Sequence, residues 1–209
     1  MANLYHSAGG IVMDIKGKKA IVFGGTSGIG LATCQKLRAK GADVVAVSRD
    51  PIKADTLIDG VRLVAVDARD SDAVGAFFES EGKIDILISS ATGGSRAFGP
   101  FLDMDIDGFK GSFDKLWGYS NVVRYGTANL RDDGCIVLVS GTPARKMKPG
   151  QVALSAVGGA VEALARAIAP EIVPKRINVV APGIVDTPMV ALTGDDRAAH
   201  YRNVTKSHL

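Results

Sequence analysis

Hydrophobic positions along this chain fall into two patterns. In the first, short runs are apolar almost without interruption: KAIVFG (19–24), DVVAVS (43–48), VRLVAVD (61–67), IDILIS (84–89), CIVLVS (135–140) and RINVVA (176–181). Such runs suit strands buried on both faces of a parallel sheet. In the second, apolar residues recur at helical spacing. GIGLATCQKLRAKG carries Leu31, Cys34 and Leu37 on one side and Gly41 as a terminator. Further helices are predicted near 70–81, 106–131 and 151–171. Strand and helix alternate, and right-handed crossovers would join them. The expected fold is therefore α/β: a Rossmann-type, doubly wound parallel sheet of about six strands with helices on both faces. With no internal repeat and no low-complexity linker, residues 1–209 are expected to form a single domain.

Composition narrows this picture. A chain of 209 residues, 46% apolar, is long enough to bury a full core. A net charge of +3 is too small for a nucleic-acid surface, and the densest basic run, KGKK (16–19), reads as a solvated flank of the first strand. Cys34 and Cys135 are isolated, which fits two free thiols in a reducing compartment. The residues before Asp14 lack the apolar core of a signal peptide, and no apolar stretch is expected to reach the ~18 residues of a membrane span. His6, His200 and His208 lie near the two ends, so no metal site is expected. The chain is thus read as cytoplasmic, with neither nucleic acid nor membrane as a partner.

Candidate chemistry begins at AIVFGGTSGIG (20–30). Gly24, Gly28 and Gly30 follow a buried strand directly and open an amphipathic helix, the context in which a glycine-rich turn seats phosphates. Gly24 turns where a β-carbon would clash, Gly28 admits a pyrophosphate and Gly30 lets the helix approach the strand. The N–H groups at the helix start, from Gly28 through Ile29 to Gly30, and the hydroxyls of Thr26 and Ser27 would serve as donors. A glycine turn that binds nothing is the plainer alternative.

With these landmarks in place, the chain resembles the short-chain dehydrogenase/reductase family from about residue 14 to residue 190. That stretch is the family-like core, and 191–209 is a short polar tail. The resemblance implies an adenine contact for Asp67 and Ala68 in VDA (66–68). It also implies cofactor contacts for Ser90, Ala91 and Thr92 in SSATGG (89–94). In RINVVAPGIVDTP (176–188), Pro182, Gly183 and Ile184 would face the nicotinamide, and Thr187 its carboxamide or the pyrophosphate. Cofactor choice turns on the end of the second strand, where an acidic residue would favour a free ribose hydroxyl. The chain has Ser48 followed by Arg49, a guanidinium suited to a 2′-phosphate, so NADP(H) is favoured over NAD(H). The alternative leaves Arg49 in solvent and gives the ribose to Asp50.

The family's chemistry uses a Tyr, a Lys four residues on, a Ser earlier in the chain and an Asn on the preceding helix. Anchoring on CIVLVSG (135–141) and LARAIAPEI (164–172) puts Leu154 at the Tyr position, Gly158 at the Lys position and Gly141 at the Ser position. The Asn position falls on or beside Lys115. No Tyr lies between Tyr125 and Tyr201, so all four usual side chains are read as absent. Ser140, Lys115 and Tyr119 are the candidate substitutes, each with a structural alternative: strand-end cap, solvated Lys, helix-packing Tyr. The basic loop PARKMKPG (143–150) would attract an acidic substrate or stand in solvent. The resemblance also implies a homodimer, or a tetramer, through the helices near 106–131 and 151–171. Relatives usually continue past the Thr-Pro segment, so either the chain is naturally shortened or cut at its C-terminal end or its substrate lid is minimal, and one sheet edge is expected to be uncovered. Two functions follow: an NADP(H)-dependent oxidoreductase with an atypical active site, acting on a small carbonyl or alcohol, or a non-catalytic NADP(H)-binding sensor or partner subunit.

Overall fold

All six apolar runs become parallel strands in the computed structural model, which describes residues 14–54, 56, 59–92 and 96–206. They are β1 (Lys19–Phe23), β2 (Asp43–Ser48), β3 (Val61–Ala65), β4 (Ile84–Ser89), β5 (Leu130–Val139) and β6 (Arg176–Val180), ordered β3-β2-β1-β4-β5-β6. Alternation along each strand sorts the core into two layers. Ile21 and Phe23 of β1 join Val45, Val47 and Leu87 on one face, while Ala20 and Val22 join Val44, Ala46, Ile86 and Ile88 on the other. Helices α1 (Gly28–Ala39), α2 (Ser71–Glu81), α3 (Ile106–Ser112), α4 (Asp114–Asn129), α5 (Val152–Ile168) and α6 (Gly194–Thr205) complete the order. The first layer is roofed by Phe77 and Phe78 of α2, Tyr119 and Val122 of α4, and Val161 and Ala165 of α5. Cys34 and Leu37 of α1 close the second.

Three features depart from the sequence expectations. The helix expected over 106–131 is two helices, because the chain tightens around Phe113. The Phe113 N–H bonds the Lys110 carbonyl at 2.9 Å and the Leu116 N–H bonds the Phe113 carbonyl at 2.8 Å, each three residues back. The short polar tail, for which no helix was predicted, forms α6, and residues 207–209 lie outside the described part. Finally, α5 with its 3₁₀ continuation (Val152–Glu171) is, by length and composition, apolar enough to cross a bilayer, which corrects the expectation that no stretch is. Here that helix covers the sheet, with Ala153, Val157, Val161 and Ala165 buried and the Glu162 carboxylate hydrogen-bonded beneath it.

Candidate active site

The strand order reverses between β2-β1 and β4-β5, leaving a crevice at the carboxyl ends of the strands, where open α/β sheets bind ligands. A cleft of 720 Å³ fills it. The glycine turn forms one wall. Gly24 has φ +78°, and a β-carbon there would lie 2.7 Å from the Ala91 amide nitrogen. A β-carbon on Gly30 would lie 2.5 Å from Ser90 Oγ and closer still to the Gly24 carbonyl oxygen. Both positions therefore require glycine for the close approach of α1 to β1 and the β4 loop. Ser27 occupies the N-cap of α1 with extended backbone, yet its hydroxyl does not cap the helix, and no acidic side chain sits in the first turn. The first N–H groups of α1 are left without a side-chain acceptor. They face a cleft lined by Thr26, Ser27, Gly28, Ile29 and Gly30.

The far end of β2 lies in the same cleft. Ser48 Oγ is buried without a hydrogen-bond partner, and Arg49 stands beside it. Each acidic side chain on the lining has a cation: Asp50 pairs with Lys53 at 2.8 Å, and Arg69 binds Asp67 at 2.7 Å and Asp114 at 3.0 Å. Hydrogen bonds from Arg69 hold the Asp67 carboxyl below the usual carboxylate range. Arg49, Arg96 and Lys115 also line the cleft, and none has a carboxylate within ion-pair distance among the described residues.

Ser140, Tyr119 and Lys115 meet at the inner end. Ser140 Oγ donates to Glu162 Oε1 at 3.2 Å, and Arg145 Nε donates to the same carboxylate oxygen at 3.0 Å, so the hydroxyl proton is directed into the protein. Tyr119 is 1% exposed, its hydroxyl donates to the Val139 carbonyl at 3.0 Å, and burial pushes its pKa up. Lys115 differs. One N–H of its ammonium donates to the Ser140 carbonyl at 3.2 Å, and the Tyr119 ring lies 5.4 Å away. Burial, helped by the charge of Arg96, lowers its pKa to about 8. Of the three candidates, Lys115 has hydrogens left to present to the cleft.

Comparison with known proteins places this architecture. Residues 18–198 match the short chain dehydrogenase family profile. L-xylulose reductase from Mesocricetus auratus is 32% identical over 186 residues, covering 85% of this chain and 75% of that protein. Oxidoreductase UcpA from Escherichia coli is 32% identical over 192 residues, covering 84% of this chain and 72% of that protein. A small-chain dehydrogenase solved in complex with NADPH superposes with a TM-score of 0.79 at 31% identity, covering 93% of this chain and 83% of that one. This chain belongs to the short-chain dehydrogenase family.

Within this short-chain dehydrogenase, most residues expected around a cofactor lie together. Gly24, Thr26, Ser27, Gly28, Ile29, Gly30, Ser48, Arg49, Asp67, Ala68, Ser90, Ala91, Thr92, Pro182, Gly183 and Thr187 all line the cleft. Ile184 does not: it is 43% exposed, and Val185 lines the cleft in its stead. Gly93 and Gly94 of the SSATGG segment fall outside the described residues. Leu154, Gly158 and Gly141 also line the wall. A β-carbon on Gly158 would come within 2.9 Å of Ala144 Cβ, so the wall has closed around a residue without a side chain.

The segment over the cleft is held from behind by α6. Arg197 donates to the carbonyls of Thr187 at 2.8 Å, Val190 at 2.7 Å and Leu192 at 3.0 Å, and pairs with Asp186. Tyr201 Oη donates to the Val185 carbonyl at 3.3 Å. The sequence reading missed these two residues, and also Arg96. Arg96 lies between β4 and α3, where no periodicity in the sequence marks a direction.

Proposed function

We propose that this short-chain dehydrogenase is an NADP(H)-dependent oxidoreductase acting on a small carbonyl or alcohol compound, with an atypical proton-donating site. The observation that carries this reading is the continuity of one cleft. It runs from the uncapped start of α1, past Ser48 and Arg49, to Lys115 beneath a wall that holds Leu154 and Gly158. The residues fit the cofactor: a glycine cradle that a β-carbon would fill and a buried, unpartnered Ser48 hydroxyl beside an uncommitted guanidinium. Solved relatives of 31% and 26% identity were obtained in complex with NADPH and NADP, respectively.

When bound, the nicotinamide would supply or accept the hydride. This chain would contribute the rest. The N–H groups at the start of α1 bind the diphosphate, Arg49 and Ser48 the 2′-phosphate, and the segment around Pro182 and Thr187 excludes water. Lys115, of the candidate substitutes, keeps a proton available at the substrate oxygen. A loss of general-acid help costs roughly 10²–10⁴ in rate, so Lys115 carries much of the difference between turnover and none. We place the enzyme in the cytoplasm as one domain whose 14–190 core forms a homodimer or tetramer through α4 and α5. Their outer faces support this: Trp117 is 62% exposed, and a β-carbon on Gly159 would meet nothing within 4 Å.

A second reading, a non-catalytic NADP(H) sensor or partner subunit, is favoured by Leu154 and Gly158, neither of which can donate a proton. One experiment separates the two. NADPH is titrated by fluorescence, then NADPH consumption is followed over a panel of small carbonyl compounds. Uptake with turnover of at least one compound is expected. Uptake with no turnover on any would establish the sensor, and no uptake would sink both.

A further inference from the structure

Two cations that line the cleft have no anion among the described residues. Lys115 sits on the floor, with a single protein hydrogen bond to a backbone carbonyl and the face of the Tyr119 ring for company. Arg96 stands on the exposed rim of the same cleft, its guanidinium over the Phe98 ring at 6.0 Å and against the Met189 sulfur at 2.6 Å. Neither contact neutralises charge. The carboxylates nearby are engaged elsewhere, Asp114 with Arg69 and Glu162 with Arg145 and Arg166. Two like charges that face one partly desolvated space repel each other, and proteins keep such an arrangement where a ligand anion completes it. Burial and the charge of Arg96 depress the Lys115 pKa, which is the electrostatic mark of that unmet demand.

We infer that the substrate is an oxo acid (or the matching hydroxy acid), with its carboxylate received between Lys115 and Arg96. After its bond to Ser140, the Lys115 ammonium has two N–H groups left, enough to meet a carboxylate oxygen and a nearby oxo oxygen together. The Arg96 guanidinium would take the other carboxylate oxygen from the rim. This inference rests on the cofactor-binding reading of the same cleft. It does not come from the relatives, since L-xylulose reductases are named for a neutral sugar.

The test compares 2-oxobutanoate and acetoacetate with their methyl esters by calorimetry, on the full chain, with and without NADP⁺. The acid is expected to bind about tenfold or more tightly than its ester, an advantage that added salt erodes. Lys115→Met and Arg96→Gln should each cut that preference to about threefold or less, while Lys115→Arg keeps most of it. Equal affinity for acid and ester, binding of neither, or a preference undiminished in both variants overturns the proposal. If Lys115→Met does not fold, Arg96→Gln at the exposed rim decides alone. A separate titration with NADP⁺ distinguishes the two claims. Nucleotide uptake without acid preference sinks only the oxo-acid assignment; acid preference without uptake sinks only the cofactor reading.

Discussion

Replacing Lys115 with Met should make the free protein more stable at neutral pH, and the gain should disappear in base. The native ammonium titrates near pH 8, against 10.5 for an unperturbed lysine, because burial and then Arg96 disfavour its charge. Between those values the unfolded chain binds more protons than the folded one, so wild-type stability rises with pH across this window. Below pH 8 the folded state bears the whole penalty. At about 1.4 kcal/mol per pKa unit, the gap sets an upper limit of roughly 3 kcal/mol. Met removes that cost but also the hydrogen bond to Ser140, worth ~1 kcal/mol, and the contact with the Tyr119 ring, worth ~0.5 kcal/mol. The net gain at pH 7 is about 1–2 kcal/mol, or a rise in Tm of about 2–6 °C for a chain of this size. Urea unfolding of both proteins at pH 7 and pH 10.5 measures it. A variant less stable than wild type at pH 7, or one with the same advantage at both pH values, would show that Lys115 is not held against desolvation. The penalty in the free protein is what a bound anion would relieve, so stability and function pull on this residue in opposite directions.

Other substitutions address separate parts of the reading. Gly30→Ala forces α1 off Gly24 and Ser90; a loss of about 1–3 kcal/mol in stability is expected, together with at least tenfold weaker NADPH binding, and an unchanged affinity would refute the tight seat. Arg49→Ala removes a charge-assisted contact worth about 1.5–3 kcal/mol, so NADPH affinity should drop roughly 10–100-fold with NADH nearly unaffected; equal effects on both nucleotides would reassign the phosphate contact. Gly159→Arg places a charge on the open face of α5, and light scattering should then report a monomer. An assembly of unaltered mass would move the interface elsewhere.

Much of the cleft was legible from sequence because its requirements are local. Gly24 and Gly30 are needed by backbone distances within one strand–turn–helix unit, and a β-carbon at either would collide with atoms already fixed by that unit or by the β4 loop. The six strands were legible for a similar reason: a strand buried on both faces can hold little but apolar residues. The proposal of an atypical proton-donating site starts from residue identity at a helical spacing, the letters Leu154 and Gly158.

What the letters do not carry is which of several polar groups faces the open space. Ser140, Tyr119 and Lys115 looked equivalent as candidates until tertiary packing sent one hydroxyl to Glu162, another to the Val139 carbonyl, and left an ammonium at the cleft. The tail was read as short and polar, with no helix predicted, since α6 has no buried stripe; Arg197 and Tyr201 tie it to carbonyls of the preceding segment between Val185 and Leu192. Arg96 belongs to the same class, a residue outside any helix or strand whose like-charged neighbour in the cleft, Lys115, lies on α4. Local backbone demands and apolar patterning are written along the chain, because each is satisfied by neighbours in sequence. The electrostatics of the cleft depend on distances between residues far apart in sequence, and these exist only once the chain has folded.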